Sequence, residues 1–245
     1  MVKRIWPIAA AVMTDSLRRK VVYVVLVFAA LLVLAIPSLP DYGLGVESAV
    51  YREIALALSY VTGLVIALSL AANRVPSELE KRTVYNVLSK GVSRWEYLVG
   101  TWLGILGVMA GAIVAFTAVE MVMGYFTYGE LMWRLWQGAL ATWLEMGVIS
   151  AFAVAVSSIA GPVVVVTATL AALFLGHSRS TLLGGEGALA LKPFYPSLDA
   201  FNVVNPVAHG SGVPLVYMLS MIVVFIGLVG VCLSLGVVLL GRRDL

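Results

Sequence analysis

The chain has 245 residues, 61% hydrophobic and only 12% charged, with 16 Lys and Arg against 13 Asp and Glu for a formal net charge of +3. Its mean hydropathy is +1.01, whereas about a quarter of the residues of a soluble domain are charged; an ordinary soluble fold is excluded and an all-α integral membrane protein is expected. The single cysteine, Cys232, lies in an apolar run and excludes an intramolecular disulfide or a cysteine metal cluster.

The first 20 residues, MVKRIWPIAAAVMTDSLRRK, alternate apolar and basic stretches and carry Trp6. They are expected to form an amphipathic helix along the inner leaflet that turns into the membrane near Lys20. The run that follows is expected to stay as an anchor, because about 20 residues precede it and no A-x-A-like cleavage site follows. Uncharged runs of spanning length then recur. The longest, Leu135 to Gly176, carries one charge, Glu145, and is too long for a single span. It is expected to break at SSIAGP, Ser157 to Pro162, where proline removes a donor and glycine permits a reversal. Six spans result, over 21–38, 54–73, 96–123, 136–157, 160–176 and 214–240.

Twelve of the sixteen basic residues fall at the termini and in alternate loops: Lys3, Arg4, Arg18, Arg19, Lys20, Arg74, Lys81, Arg82, Lys90, Arg94, Arg242 and Arg243. The other loops hold only Arg52, Arg134, Arg179 and Lys192. The positive-inside bias makes the first set cytoplasmic and predicts a multi-pass protein of the plasma (inner) membrane with both termini inside. In such a protein the basic pI marks a membrane face, and no nucleic-acid partner is expected.

The most polar long stretch is NRVPSELEKRTVYNVLSKGVSRWEYLVG, residues 73 to 100, inside the cytoplasmic loop 74–94. Ser77 and Glu80 make an S-x-x-E capping box, which predicts a short helix starting near Glu78. Glu78 and Arg82 stand at i, i+4 with the acid first; Leu79, Tyr85 or Val84, and Leu88 give an apolar stripe, and Gly91 a stop. Residues 77 to 104, SELEKRTVYNVLSKGVSRWEYLVGTWLG, resemble the first cytoplasmic loop of ABC-2 type transporter permeases, on Glu78, Glu80, Thr83, Leu88, Ser89, Arg94 and Gly100; Gly91 stands where the family often has proline. The resemblance extends over the basic start, the six spans, a large outer loop and the GRRDL end. Within the family the chain looks most like the group that includes copper-enzyme maturation permeases, whose members need not handle copper.

The resemblance implies an ABC-2 (type V exporter-like) permease in which residues near Glu78 to Ser89 form a coupling helix gripped by an ATPase. It implies two permease copies, expected as a homodimer, above two ATPase subunits, with ATP and magnesium held by those subunits and no cofactor in this chain. Consistent with that division, no G-x-x-x-x-G-K-[ST] phosphate loop occurs, and the chain is not expected to be an enzyme.

In the third span Gly100, Gly104, Gly107 and Gly111 form a face of small residues that lets another helix approach closely, either in the same chain or in a second permease. Glu120 and Glu145 are the acids inside or near the spans and are candidates for a pathway or gate. Counting from Tyr97 puts Glu120 about 34 Å up, in the outer headgroups; Glu145 is expected to pair with Arg134 or to line a polar path. Residues 177–213, broken by Gly and Pro, predict re-entrant or interfacial helices. There His177 and His209, with Met218 and Met221 downstream, are donors that suit copper, but their spacing matches no site geometry and no metal is expected. The expected function is ATP-driven export of a substrate the sequence does not name. The rival expectation is a non-transporting factor that acts mechanically on an extracytoplasmic partner.

Overall fold

A computed structural model describes residues 2–19, 21–35, 46–80, 91–178 and 197–242. These residues are helical, with no strand among them. In chain order the helices are α1 (Val2–Arg19), α2 (Val21–Ala35), α3 (Glu47–Glu80), α4 (Arg94–Tyr128), α5 (Leu135–Ser157), α6 (Pro162–His177), a 3₁₀ turn (Asp199–Phe201), α7 (Val204–Ala208) and α8 (Leu215–Gly241). Four of them are long and apolar enough to cross a membrane: α3 over Glu47–Glu78, then α4, α5 and α8. Among the described residues the other two expected spans, α2 and α6, fall short of that length. α6 has 16 residues and α2 has 15, or about 22–24 Å at helical rise against roughly 30 Å of hydrocarbon. Residues 36–38 of the expected first span lie outside the described residues.

The boundaries have local causes. α5 ends at Ser157 and α6 begins at Pro162, with Gly161 extended at the N-cap position and proline in the first turn, where its missing donor costs nothing. α4 starts at a reciprocal capping box: the Glu96 amide donates to Ser93 Oγ (3.2 Å) and the Ser93 amide to Glu96 Oε2 (2.9 Å). It stops at Gly129, whose φ of 70° suits glycine.

The capping box expected at Ser77 and Glu80 is not formed. α3 runs through Pro76 to Glu80, and Ser77 Oγ donates to the Arg74 carbonyl (2.9 Å) as an interior helix residue. Tertiary contacts override the local signal here. Val75 is fully buried, Arg74 Nε pairs with Glu78 (2.6 Å), and the Tyr97 hydroxyl of α4 donates to Glu78 Oε2 (2.6 Å).

α5 is the central element, packed on by α3, α4, α6 and α8. The outward faces of α8 are apolar, with Val216, Val223, Ile226 and Val231 exposed, as expected of a surface that meets lipid rather than water. Arg4 donates to the Gly91 carbonyl, and Arg94 Nη1 to the Gly241 carbonyl (2.9 Å). The start of α1, the start of α4 and the end of α8 therefore meet at one end of the bundle. The opposite end is tied by Gln137, which exchanges two hydrogen bonds with the Val213 backbone (2.8 and 3.2 Å).

Candidate functional site

α3 carries two adjacent polar residues, Ser59 and Tyr60, within an apolar stretch. Neighbours on a helix point about 100° apart, so the two reach different partners. Ser59 Oγ donates to Glu120 Oε1 of α4, and the Tyr60 hydroxyl donates to Glu145 Oε1 of α5 (2.7 Å). Glu120 is 1% and Glu145 2% exposed. Two carboxyl groups from different helices are thus held at one level of α3. An ionisable group at such depth is costly and is retained where it has a role.

The two surroundings differ. Glu120 is closed in: the Tyr51 hydroxyl donates to its backbone carbonyl (2.8 Å), and the Tyr51 ring packs on Tyr128 with centroids 5.4 Å apart. Glu145 opens onto a cavity of about 470 Å³ between α3, α5, α6 and the segment around Phe201. His177 Nε2, at the end of α6, stands 3.4 Å from Glu145 Oε1, and its other ring nitrogen faces the Leu173 carbonyl at 3.3 Å. The Tyr60 and His177 rings meet edge to face. The remaining walls are apolar and aromatic, with Thr142 and Asn202 as further polar groups. Volume, apolar walls and a few convergent polar groups are the features of a small-molecule site. A groove of about 510 Å³ between α4 and α5 lacks them: apart from two tryptophans, its one polar side chain is Thr117, whose hydroxyl is bonded to its own helix (2.9 Å).

The glycine face of α4 is covered by α1. A Cβ on Gly100 would lie 2.9 Å from Ile8, one on Gly104 2.5 Å from Val12, and one on Gly107 2.6 Å from Met13, while one on Gly111 would meet nothing within 4 Å. Contacts rise together along both helices, so α1 and α4 run side by side in the same direction over this stretch. Close approach of this kind needs residues without a side chain. Asp15 of α1 also pairs with Arg74 of α3 (2.6 Å).

Of the other residues singled out in the sequence, Glu78 is held by Arg74 and Tyr97, and Arg94 by the Gly241 carbonyl. Glu80 ends α3; Arg82, Thr83, Leu88 and Ser89 lie outside the described residues. Glu120 is enclosed in protein against α3, and α4 continues eight residues beyond it to Tyr128. Glu145 is paired with Tyr60 and His177, not Arg134, whose guanidinium lies near Trp133 (5.7 Å to the ring centroid). Among the described residues no group of three or more His, Cys, Asp or Glu could hold a metal; His177 faces Glu145, while His209 turns to the Asn205 carbonyl (3.0 Å).

Tyr60 was the partner sequence reasoning missed. A hydroxyl in an apolar stretch facing a span that carries a lone acid was the available signal. No protein-family model matches the chain, and no curated protein matches it.

Proposed function

We propose that this chain is the membrane subunit of an ABC-2 type transporter, driven from its basic end by separate ATPase subunits. The sequence resemblance over residues 77 to 104 supports the reading. The observation that carries it is the interlock at that end. Arg4 of α1 reaches the Gly91 carbonyl, Asp15 of α1 pairs with Arg74 of α3, and Tyr97 of α4 bonds Glu78 of α3. The exposed ion pair alone contributes little, on the order of 0–1 kcal/mol. The packing of α1 into the glycine face of α4 adds a broad apolar contact.

A push on the segment between α3 and α4 would therefore move α1, α3 and α4 together. α3 carries Tyr60, so the same displacement would reach Glu145 and its cavity. A device that converts ATP hydrolysis into passage of a substrate needs such a connection between docking end and site. Two permease copies, expected to be identical, would form the path, with the basic end inside and export as the direction. ATP and magnesium would be held by the partner, and this chain would hydrolyse nothing.

The test is co-expression with the ATPase encoded beside the gene. The wild-type chain should yield a detergent-stable complex, and a Glu80→Lys, Leu88→Asp double variant should lose it while keeping its monodisperse elution alone. Equal capture of both chains, or capture of neither, would overturn the docking assignment.

A further inference from the structure

The chemistry of the Glu145 cavity is selective in a way that names a ligand class. Both contacts to Glu145, from Tyr60 and from His177, fall on the same oxygen, Oε1. Among the described residues Oε2 has no partner, on a side chain 2% exposed and facing the cavity. Among the described residues the basic group that contacts Glu145 is His177, at a long 3.4 Å and with about a third of its side chain exposed.

Three aromatic rings, Tyr60, Phe174 and Phe201, line the same space. A ring face attracts cations through its quadrupole, and rings grouped around one position are the recognition set for quaternary ammonium groups. A buried carboxylate with an open oxygen supplies the counter-charge. An anionic ligand would instead face a buried acid, and a wholly polar one would lose its water to mostly apolar walls.

Access also discriminates. Val61 and Phe174 line the cavity and are 57% and 72% exposed on the outer faces of α3 and α6. The mouth therefore opens sideways between apolar residues, which suits a ligand that partitions into the bilayer.

We propose that the cavity between α3, α5 and α6 binds lipophilic cations, of the quaternary ammonium type on an apolar body, with Glu145 as counter-ion and Tyr60, Phe174 and Phe201 as the aromatic wall. Binding needs no ATPase. That such cations are the cargo rests on the transporter reading above.

The test uses the full chain in lipid nanodiscs and tritiated benzyltrimethylammonium, with neopentylbenzene as its uncharged isostere. The wild type should bind the cation saturably, and neopentylbenzene should compete weakly. Glu145→Gln keeps the side-chain shape and should weaken cation binding by about tenfold or more. Because that variant removes a buried group, Ala57→Trp is the second arm. Ala57 lines the cavity from an exposed helix face, so an indole introduced there is placed to fill the space without removing a buried group. It should abolish binding while the elution profile stays that of the wild type. Absence of saturable binding to the wild type, equal binding by Glu145→Gln, or equal affinity for the neutral isostere would overturn the proposal. Capture of the ATPase should be the same for Glu145→Gln as for wild type, which separates failure of this site from failure of the docking assignment.

Discussion

Ser59 and Tyr60 illustrate how two consecutive side chains can satisfy two buried acids on different helices. The consequence at Ser59 is energetic. Replacing it by alanine leaves Glu120 buried without its hydroxyl donor, a loss of about 1–3 kcal/mol for an unsatisfied buried group, more if it is charged. Unfolding in mild detergent, followed by tryptophan fluorescence, should show Ser59→Ala clearly destabilised. Ser69→Ala should be near wild type, since the Ser69 hydroxyl is bonded only to the Ile66 carbonyl of its own helix (3.0 Å). A double change, Ser59→Ala with Glu120→Leu, should recover stability, because removing both partners of a buried polar pair costs less than removing one. At Tyr60 the consequence falls on the ligand. Tyr60→Phe keeps the ring and loses the hydroxyl, so it should preserve cation binding and free Glu145 Oε1, whereas Tyr60→Leu should weaken binding through loss of the ring face.

At the scale of elements, the contact of α1 with α4 decides what the amphipathic start of the chain does. An isolated amphipathic helix rests on a bilayer by its apolar face, but Ala9 and Val12 of this one are buried in protein. Gly104→Leu would place a side chain within 2.5 Å of Val12 and 2.8 Å of the Ala9 carbonyl, so α1 must lift away. The expected cost is on the order of 1–3 kcal/mol, with protease cleavage within α1 accelerated. Gly111→Leu, where nothing lies within 4 Å, should leave both unchanged; equal effects at the two glycines would contradict the packing.

This face also shows what could be read without coordinates. Spacing alone pointed to a close-packing face at Gly100, Gly104 and Gly107, because small residues at helical spacing have few other uses in a membrane helix, but it also included Gly111, which meets nothing. It could not reveal the occupant, since Ile8, Val12 and Met13 look like any apolar residues. The break at Ser157 to Pro162 was legible because proline and glycine act locally. The start expected at Ser77 was misplaced because the same S-x-x-E pattern occurs at Ser93, and which of two local signals is used depends on burial of Val75 and the bonds of Glu78. The cavity was invisible for the same reason: Glu145 stood out by its charge, but its partners come from helices 85 residues earlier and 32 residues later in the chain.

At the scale of the whole molecule, the bonds of Arg4 and Arg94 bring the start of α1, Gly91 ahead of α4 and the end of α8 to one end, and the cavity lies toward the other; on the proposed function the chain between them acts as a lever. The excess of Lys and Arg at the first end predicts that it is the inner one. In intact cells a cysteine at Glu130, in the connection from α4 to α5, should react with a membrane-impermeant maleimide. One at Arg242 should react only after permeabilisation. The reverse pattern would invert the orientation. The measurement that tests the account most directly is site-specific photocrosslinking in cells that express the neighbouring ATPase, with benzoylphenylalanine at Lys90 or at Glu130. The account predicts that the ATPase is captured from Lys90 and not from Glu130, and that the Lys90 adduct disappears with the Leu88→Asp change. Capture from Glu130, or from neither position, would contradict it.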